Sequence, residues 1–90
     1  MRLDKFLKVS RIIKQRGKSK FMCDNSHVKI NGTLKKPCYQ VNERDIIEID
    51  DLKSTRKYLV LEVPEGKGNV SREKSRTLTE LQEEHAKEWL

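Results

Sequence analysis

A chain of 90 residues with net charge +6, 38% charged and 34% hydrophobic side chains has material for one small domain and a tail. It has no apolar run long enough to span a bilayer, no apolar stretch of a secretion signal behind Met1–Lys5, and only two cysteines, Cys23 and Cys38. A membrane-embedded chain and a disulfide-stapled secreted one are thereby disfavoured, and a cytosolic chain with reduced thiols is expected.

In chain order, Leu3, Phe6 and Leu7, followed by Ile12 and Ile13, space an apolar stripe at i, i+3, i+4 and predict a helix of about two turns. Leu3 and Phe6 anchor it, while Arg2, Lys5 and Lys8 fall on a second, charged face. Gly17 marks a break, and a second short helix is predicted from about Lys18 to Asn25, with Ser19, Met22 and Cys23 inward and Asn25-Ser26 at its end. Val28-Lys29-Ile30 alternates as a strand, and Asn31-Gly32 is a tight-turn signal. Asp45–Ile49 and Lys57–Val63 are the best later strands, joined through the polar stretch Asp50–Thr55.

Pro64–Arg76 holds one apolar residue, Val70, and is expected to be a flexible linker. Thr77–Leu90 predicts a helix with Leu78, Leu81, His85 and Trp89 on one face and the spacing of a capping box at Thr79 and Gln82. Such a helix either folds back on the domain or docks on a partner. The expected fold is α+β: residues 1–63 as two N-terminal helices on a short antiparallel sheet, 64–76 as linker and 77–90 as a helical tail. No internal repeat is present.

Charge is distributed unevenly. Residues 1–20 hold eight Lys or Arg against one Asp, a balance of +7; residues 21–44 carry +2, 45–66 carry −3, and 67–90 are neutral. A cationic field at one end of a chain that is otherwise neutral to acidic is the footprint of a polyanion binder. The candidate set is Arg2, Lys5, Lys8, Arg11, Lys14, Arg16, Lys18 and Lys20. Arginine can grip a phosphate through two parallel bonds, so Arg2, Arg11 and Arg16 are expected to orient the ligand and the lysines to supply field strength. For a single lysine such as Lys8 a solvated helix face explains as much. For the set it does not, because a neutral partner needs no such excess. Asp4, the lone acid there, is expected to pair with a neighbouring base and fix the helix. The site offers no aromatic platform for unstacked bases, so recognition of folded shape is expected.

Other chemistries find little support. Cys23, His27, Cys38 and His85 could form a four-ligand metal set, but their spacing is not that of a structural zinc site, and Cys23 on an apolar face reads as a packed thiol. Neither cysteine sits beside a histidine base in sequence, and no glycine-rich phosphate loop is present. Asp45, Glu48, Asp50 and Asp51 read as a solvated strand edge. No catalytic centre and no cofactor are expected.

Arg2-Leu3-Asp4-Lys5-Phe6-Leu7, followed by Val28-Lys29-Ile30-Asn31-Gly32, resembles the alpha-L RNA-binding domain of the ribosomal protein S-four family, and Arg44-Asp45-Ile46 resembles that domain's Gly-Asp-Ile lead-in to a strand. The resemblance covers residues 1–63. Within the superfamily, the opening Met1 to Lys14 followed by Arg16 is similar to stand-alone ribosome quality-control factors. This resemblance implies binding to large ribosomal subunits obstructed by peptidyl-tRNA. It also implies contact with ribosomal RNA and tRNA, and support of C-terminal alanine tailing, with a nascent-chain-tailing factor as a further partner; the chain itself is expected to be a monomer.

Three residues depart from the family pattern: Gly17 stands where Ser or Thr usually caps the second helix, Ser26 replaces a glycine after it, and Arg44 replaces the glycine of the Gly-Asp pair. The competing expectations are a heat-shock-type factor rescuing dissociated large subunits that carry tRNA, and an interaction module acting through the C-terminal helix. RNA-modifying enzymes also carry this domain, but no catalytic domain follows residue 63.

Overall fold

The computed structural model describes residues 1–13, 18, 21–23, 25, 27–50, 54–64 and 70–86. Helix α1 spans Leu3–Val9 and buries Leu3, Phe6 and Leu7 completely, as its apolar spacing requires. Its N-terminal flank Arg2 is extended and offers no side-chain cap. The first-turn donors are instead satisfied from a distant loop: the Leu3 N–H donates to the Tyr39 carbonyl at 2.7 Å and the Asp4 N–H to the Pro37 carbonyl at 3.2 Å. At the other end Arg11 takes a left-handed φ of 62°, which reverses the chain and lets Ile12 and Ile13 join the core.

Lys18 and residues 21–23 are helical, with Met22 and Cys23 buried as expected and Phe21 exposed. The end of this stretch is closed by Asn25, whose backbone N–H and side-chain amide both donate to the Phe21 carbonyl. The expected break at Gly17 and the inward Ser19 lie outside the described residues.

Five strands form one antiparallel sheet. They are β1 (Val28–Ile30), β2 (Thr33–Leu34), β3 (Ile46–Asp50), β4 (Ser54–Val60) and β5 (Thr79–Ala86), in the order β2-β1-β3-β4-β5. The β1–β2 turn has positive φ at both Asn31 (52°) and Gly32 (84°), the geometry that an Asn-Gly pair accepts at least cost. Val28, Ile30, Ile47, Ile49 and Val60 close over α1, so the core lies between one sheet face and the N-terminal helical region. The small α+β fold with an antiparallel sheet matches the expectation.

The C-terminal segment does not. The helical spacing of 77–90 gives way to a strand: Thr79–Ala86 pairs along the whole of β4, and Leu78 is fully buried. Two physical reasons account for the misleading pattern. Without β5, the seven residues of β4 would be an open edge. And the register slips between Lys57↔Glu83 and Tyr58↔Leu81, leaving Gln82 as an extra residue that breaks the alternation by which a strand is recognised. The stretch expected to be linker also holds a short helix, α2 (Arg72–Ser75), capped by the Ser71 hydroxyl, which accepts from the Lys74 N–H at 3.1 Å. The cap is therefore at Ser71, not at Thr79.

Arg44, which replaces the family glycine, adopts a left-handed φ of 72°, with its N–H donating to the Val60 carbonyl at 2.8 Å. That conformation costs a residue with a side chain about 1–2 kcal/mol, partly offset by glycine's larger entropy when unfolded. Arg44→Gly is therefore expected to stabilise the protein by roughly 0.5 kcal/mol, raising the thermal midpoint by a few degrees. Arg44→Val is expected to lower it. Thermal melts followed by circular dichroism read both signs, and a lower midpoint for the glycine variant would contradict this account.

Candidate nucleic-acid interface

Arg2, just ahead of α1, and Lys5 and Lys8 within it follow one another at intervals of three residues, and the two lysines share the face turned away from Leu3, Phe6 and Leu7. Arg2 and Lys8 are exposed and Lys5 is half-buried. Asp4 does what its isolation in a basic stretch suggests. Its buried carboxylate lies 3.4 Å from Arg2 Nε and accepts the Lys5 N–H at 2.8 Å. The Arg2 side chain stays 51% exposed, so the pairing orients the guanidinium through Nε and leaves its outer edge accessible to an anion. Arg11 and Lys18 are exposed, while Lys14, Arg16 and Lys20 lie outside the described residues.

Arg11 has a particular position. It occupies the left-handed site after α1 where glycine is the usual residue, and its side chain is exposed.

The cations divide into two populations. On the sheet, Lys29, Glu48, Lys57 and Glu83 stand opposite one another across β1, β3, β4 and β5, with successive N–O separations of 4.0, 3.7 and 3.5 Å. Lys74 pairs with Glu62 at 2.7 Å. Among the described residues, Lys5, Lys8, Arg11 and Lys18 enter no ion pair, and neither do Lys35, Lys36 and Arg44. The ladder thus neutralises Lys29 and Lys57, whereas Arg56 on β4 lies over the Tyr58 ring and donates to its hydroxyl; Arg56, Arg72 and Arg76 also enter no ion pair among the described residues.

Lys35 and Lys36 were not in the sequence-based set. They are brought to α1 by the loop that caps it: Pro37, next to Lys36, accepts from the Asp4 N–H, and Lys35 Nζ lies 5.2 Å from the centre of the Tyr39 ring. The pair Lys35-Lys36 ahead of Pro37 was the only signal in the sequence.

That loop is held by Asp45. Far from being a solvated strand edge, Asp45 is buried, and its carboxylate accepts from Tyr39 Oη (2.9 Å), Asn31 Nδ2 (3.1 Å) and the Asn42 N–H (2.9 Å). Asn31 Oδ1 in turn accepts the Ile46 N–H at 2.9 Å. Burial, together with the hydrogen bond to Asp45 and that carboxylate's charge, raises the Tyr39 phenol above its ordinary pKa of 10.0.

Of the residues considered for metal or thiol chemistry, Cys23 is buried, Cys38 is exposed, and His85 is exposed beside Glu83. Among the described residues, no three His, Cys, Asp or Glu side chains come together as a metal site, and no helix is long and apolar enough to cross a membrane.

The chain thus sets a basic helical face over a small antiparallel sheet, with the lead-in to β3 held by the buried Asp45. Residues 1–47 match the S4 domain family, to which the chain belongs. Within that class it belongs with the RQC P-site tRNA stabilizing factors. It is 38% identical to the one from Halalkalibacterium halodurans over 84 residues, covering 93% of this chain and 92% of that protein. It is 36% identical to the one from Bacillus subtilis over 85 residues, covering 93% and 95%. Among solved structures, the hypothetical protein HP1423 superposes with a TM-score of 0.78 at 31% identity, covering 92% of this chain and 98% of that one. Vibrio cholerae heat shock protein 15, also at 0.78 but 20% identical over 91% of this chain and 81% of that one, shares the fold.

Two expectations follow from the Asp45 network. Asp45→Ala leaves three donors without their acceptor and is expected to cost roughly 2–4 kcal/mol, against under 1 for Glu48→Ala on the sheet surface; denaturant titration compares them. A tyrosine whose folded pKa exceeds its unfolded one stabilises the fold below pH 10.0, and this contribution is lost as the pH rises through the folded value. Above pH 10.0 the native chain is therefore expected to lose stability with rising pH more steeply than Tyr39→Phe, and phenolate absorbance should place Tyr39 above the ordinary tyrosine range.

Proposed function

We propose that this chain is a non-catalytic, cytoplasmic RNA-binding factor of ribosome-associated quality control. It binds large ribosomal subunits obstructed by peptidyl-tRNA, contacts both ribosomal RNA and tRNA, and supports C-terminal alanine tailing of the stalled chain by a separate tailing factor. The observation that carries the RNA-binding part is the division of cations. Every basic group in the sheet ladder has an acid beside it, whereas Lys5, Lys8, Arg11 and Lys18 have none among the described residues. Leaving like charges together and unpaired raises the free energy of the isolated protein, and a polyanion relieves that repulsion. Each lysine or arginine that meets a phosphate also releases a condensed counterion, which drives association by entropy.

We assign RNA contact to Arg2, Lys5, Lys8, Arg11, Lys14, Arg16, Lys18 and Lys20, acting as a monomer, with residues 1–63 as the RNA-binding module. The rest of the chain has a supporting part, since β5 covers the β4 edge and Leu78 completes the core. The quality-control reading is supported by relatives that match the chain over nine-tenths of its length and carry the name P-site tRNA stabilizing factor. A heat-shock-type role has behind it only a shared fold at 20% identity.

Ribosome co-sedimentation across a range of salt concentrations tests the proposal. The native chain is expected to associate with large subunits with a steep salt dependence, and Arg2→Ala/Arg16→Ala to lose most of this association. The slope of log affinity against log salt should become shallower by about 0.7–0.9 for each phosphate contact removed. Lys29→Ala/Lys57→Ala, which removes paired cations, should change neither. Equal co-sedimentation of the arginine variant and the native chain would overturn the site assignment.

A further inference from the structure

Beside the basic face of α1 lies an open groove of ≈ 780 Å³, bounded by Arg2 and Lys5 on the helix, by Val41 and Glu43 on the loop before β3, and by Val63 and Pro64 after β4. Its chemistry is more varied than a phosphate backbone requires. Arg2 and Lys5 supply positive charge. Val63 and Pro64 supply apolar surface. Glu43 supplies a carboxylate that is exposed and, among the described residues, has no ion-pair partner, although two cations border the same groove. Arg2 is paired with Asp4 instead. A bare phosphodiester would be drawn to Arg2 and Lys5 and repelled by Glu43. A ligand that is anionic at one end, flat and apolar in the middle, and a double hydrogen-bond donor at the other satisfies all three walls.

We propose that this groove takes one unstacked guanosine nucleotide of the bound RNA. Its phosphate lies against Arg2 and Lys5, its base covers Val63 and Pro64, and its Watson–Crick edge faces Glu43. Guanine is the one standard base that offers two adjacent donors, N1–H and N2–H, to a single carboxylate, so Glu43 selects it. Pockets of a few hundred Å³ with apolar walls and a few convergent polar groups are the usual setting for such a ligand. Splayed-out bases are also the part of a folded RNA that proteins read by sequence. The inference rests on the RNA-binding reading and adds a point of base recognition to an interface otherwise governed by charge and shape.

The test uses the full-length chain labelled with ¹⁵N and titrated with GMP, UMP, ribose 5-phosphate and inorganic phosphate. GMP is expected to shift the amides of Arg2, Asn42 and Glu43 and to bind roughly tenfold more tightly than UMP. In Glu43→Gln, at an exposed position that the fold does not need, this preference should disappear while inorganic phosphate binds no more weakly. Equal affinity for GMP, UMP and ribose 5-phosphate would reduce the groove to an anion site and overturn the proposal, as would an unchanged preference in Glu43→Gln. Ribosome co-sedimentation of the native chain separates the two readings. If it persists when nucleotide selectivity is absent, only the groove assignment fails. If it is absent at low salt, the RNA-binding reading fails as well.

Discussion

The architecture depends on one buried carboxylate. Asp45 draws together Asn31 from the β1–β2 turn, Tyr39 from the loop before β3, and the backbone of Asn42. That loop then lends the carbonyls of Tyr39 and Pro37 to the first turn of α1. The basic face of α1 is thus positioned by an acid about forty residues further along the chain, through two layers of hydrogen bonds. A buried carboxylate with several donors is well compensated, and its removal is felt by every segment it joins. The same hydrogen bonds fix the loop that carries Lys35 and Lys36 beside the basic helix.

What could be read from the chain follows from the range of each interaction. The stripe Leu3, Phe6, Leu7, the inward Met22 and Cys23, and the Asn31-Gly32 turn are settled by neighbours within four residues, and all three are found as the pattern predicts. The β5 strand is settled by a partner nineteen or more residues away and broken by a bulge, so its Glu-, Leu- and Gln-rich composition pointed to a helix. Asp45 was read as a surface acid because its three donors lie at positions 31, 39 and 42, and no spacing rule connects them. The candidate interface was legible as a composition, eight basic residues in twenty, but not as a surface. The Asp4 pairing was expected from its lone place in a basic stretch, but the recruitment of Lys35 and Lys36, and the lack of an ion-pair partner for Glu43 among the described residues, are products of the tertiary fold.

The sheet and the N-terminal region handle charge in opposite ways. The ladder Lys29–Glu48–Lys57–Glu83 alternates sign across four strands, so each inner member has opposite charges on both sides. Each exposed contact is worth a fraction of a kcal/mol, and its greater consequence is to leave that face nearly neutral and unattractive to a polyanion. Lys5, Lys8, Arg11 and Lys18 have no such compensation among the described residues. In general a uniformly basic protein of this size would meet a polyanion in many poses, and an uneven field favours fewer.

The cap of α1 limits how that side can hold an anion. Helix N-termini often bind phosphate with their free N–H groups, but here the Leu3, Asp4 and Lys5 N–H groups are all engaged, by Tyr39, Pro37 and the Asp4 side chain. Seven residues of helix with its leading donors occupied leave recognition to side chains. Side-chain cations on a solvated surface act at a range set by ionic strength, so affinity from this source is strong at low salt and modest in the cell. Rapid, salt-dependent encounter with a polyanion is what such a field supplies, and a guanidinium held through Nε by a buried acid, as Arg2 is, keeps its remaining donors in a set direction.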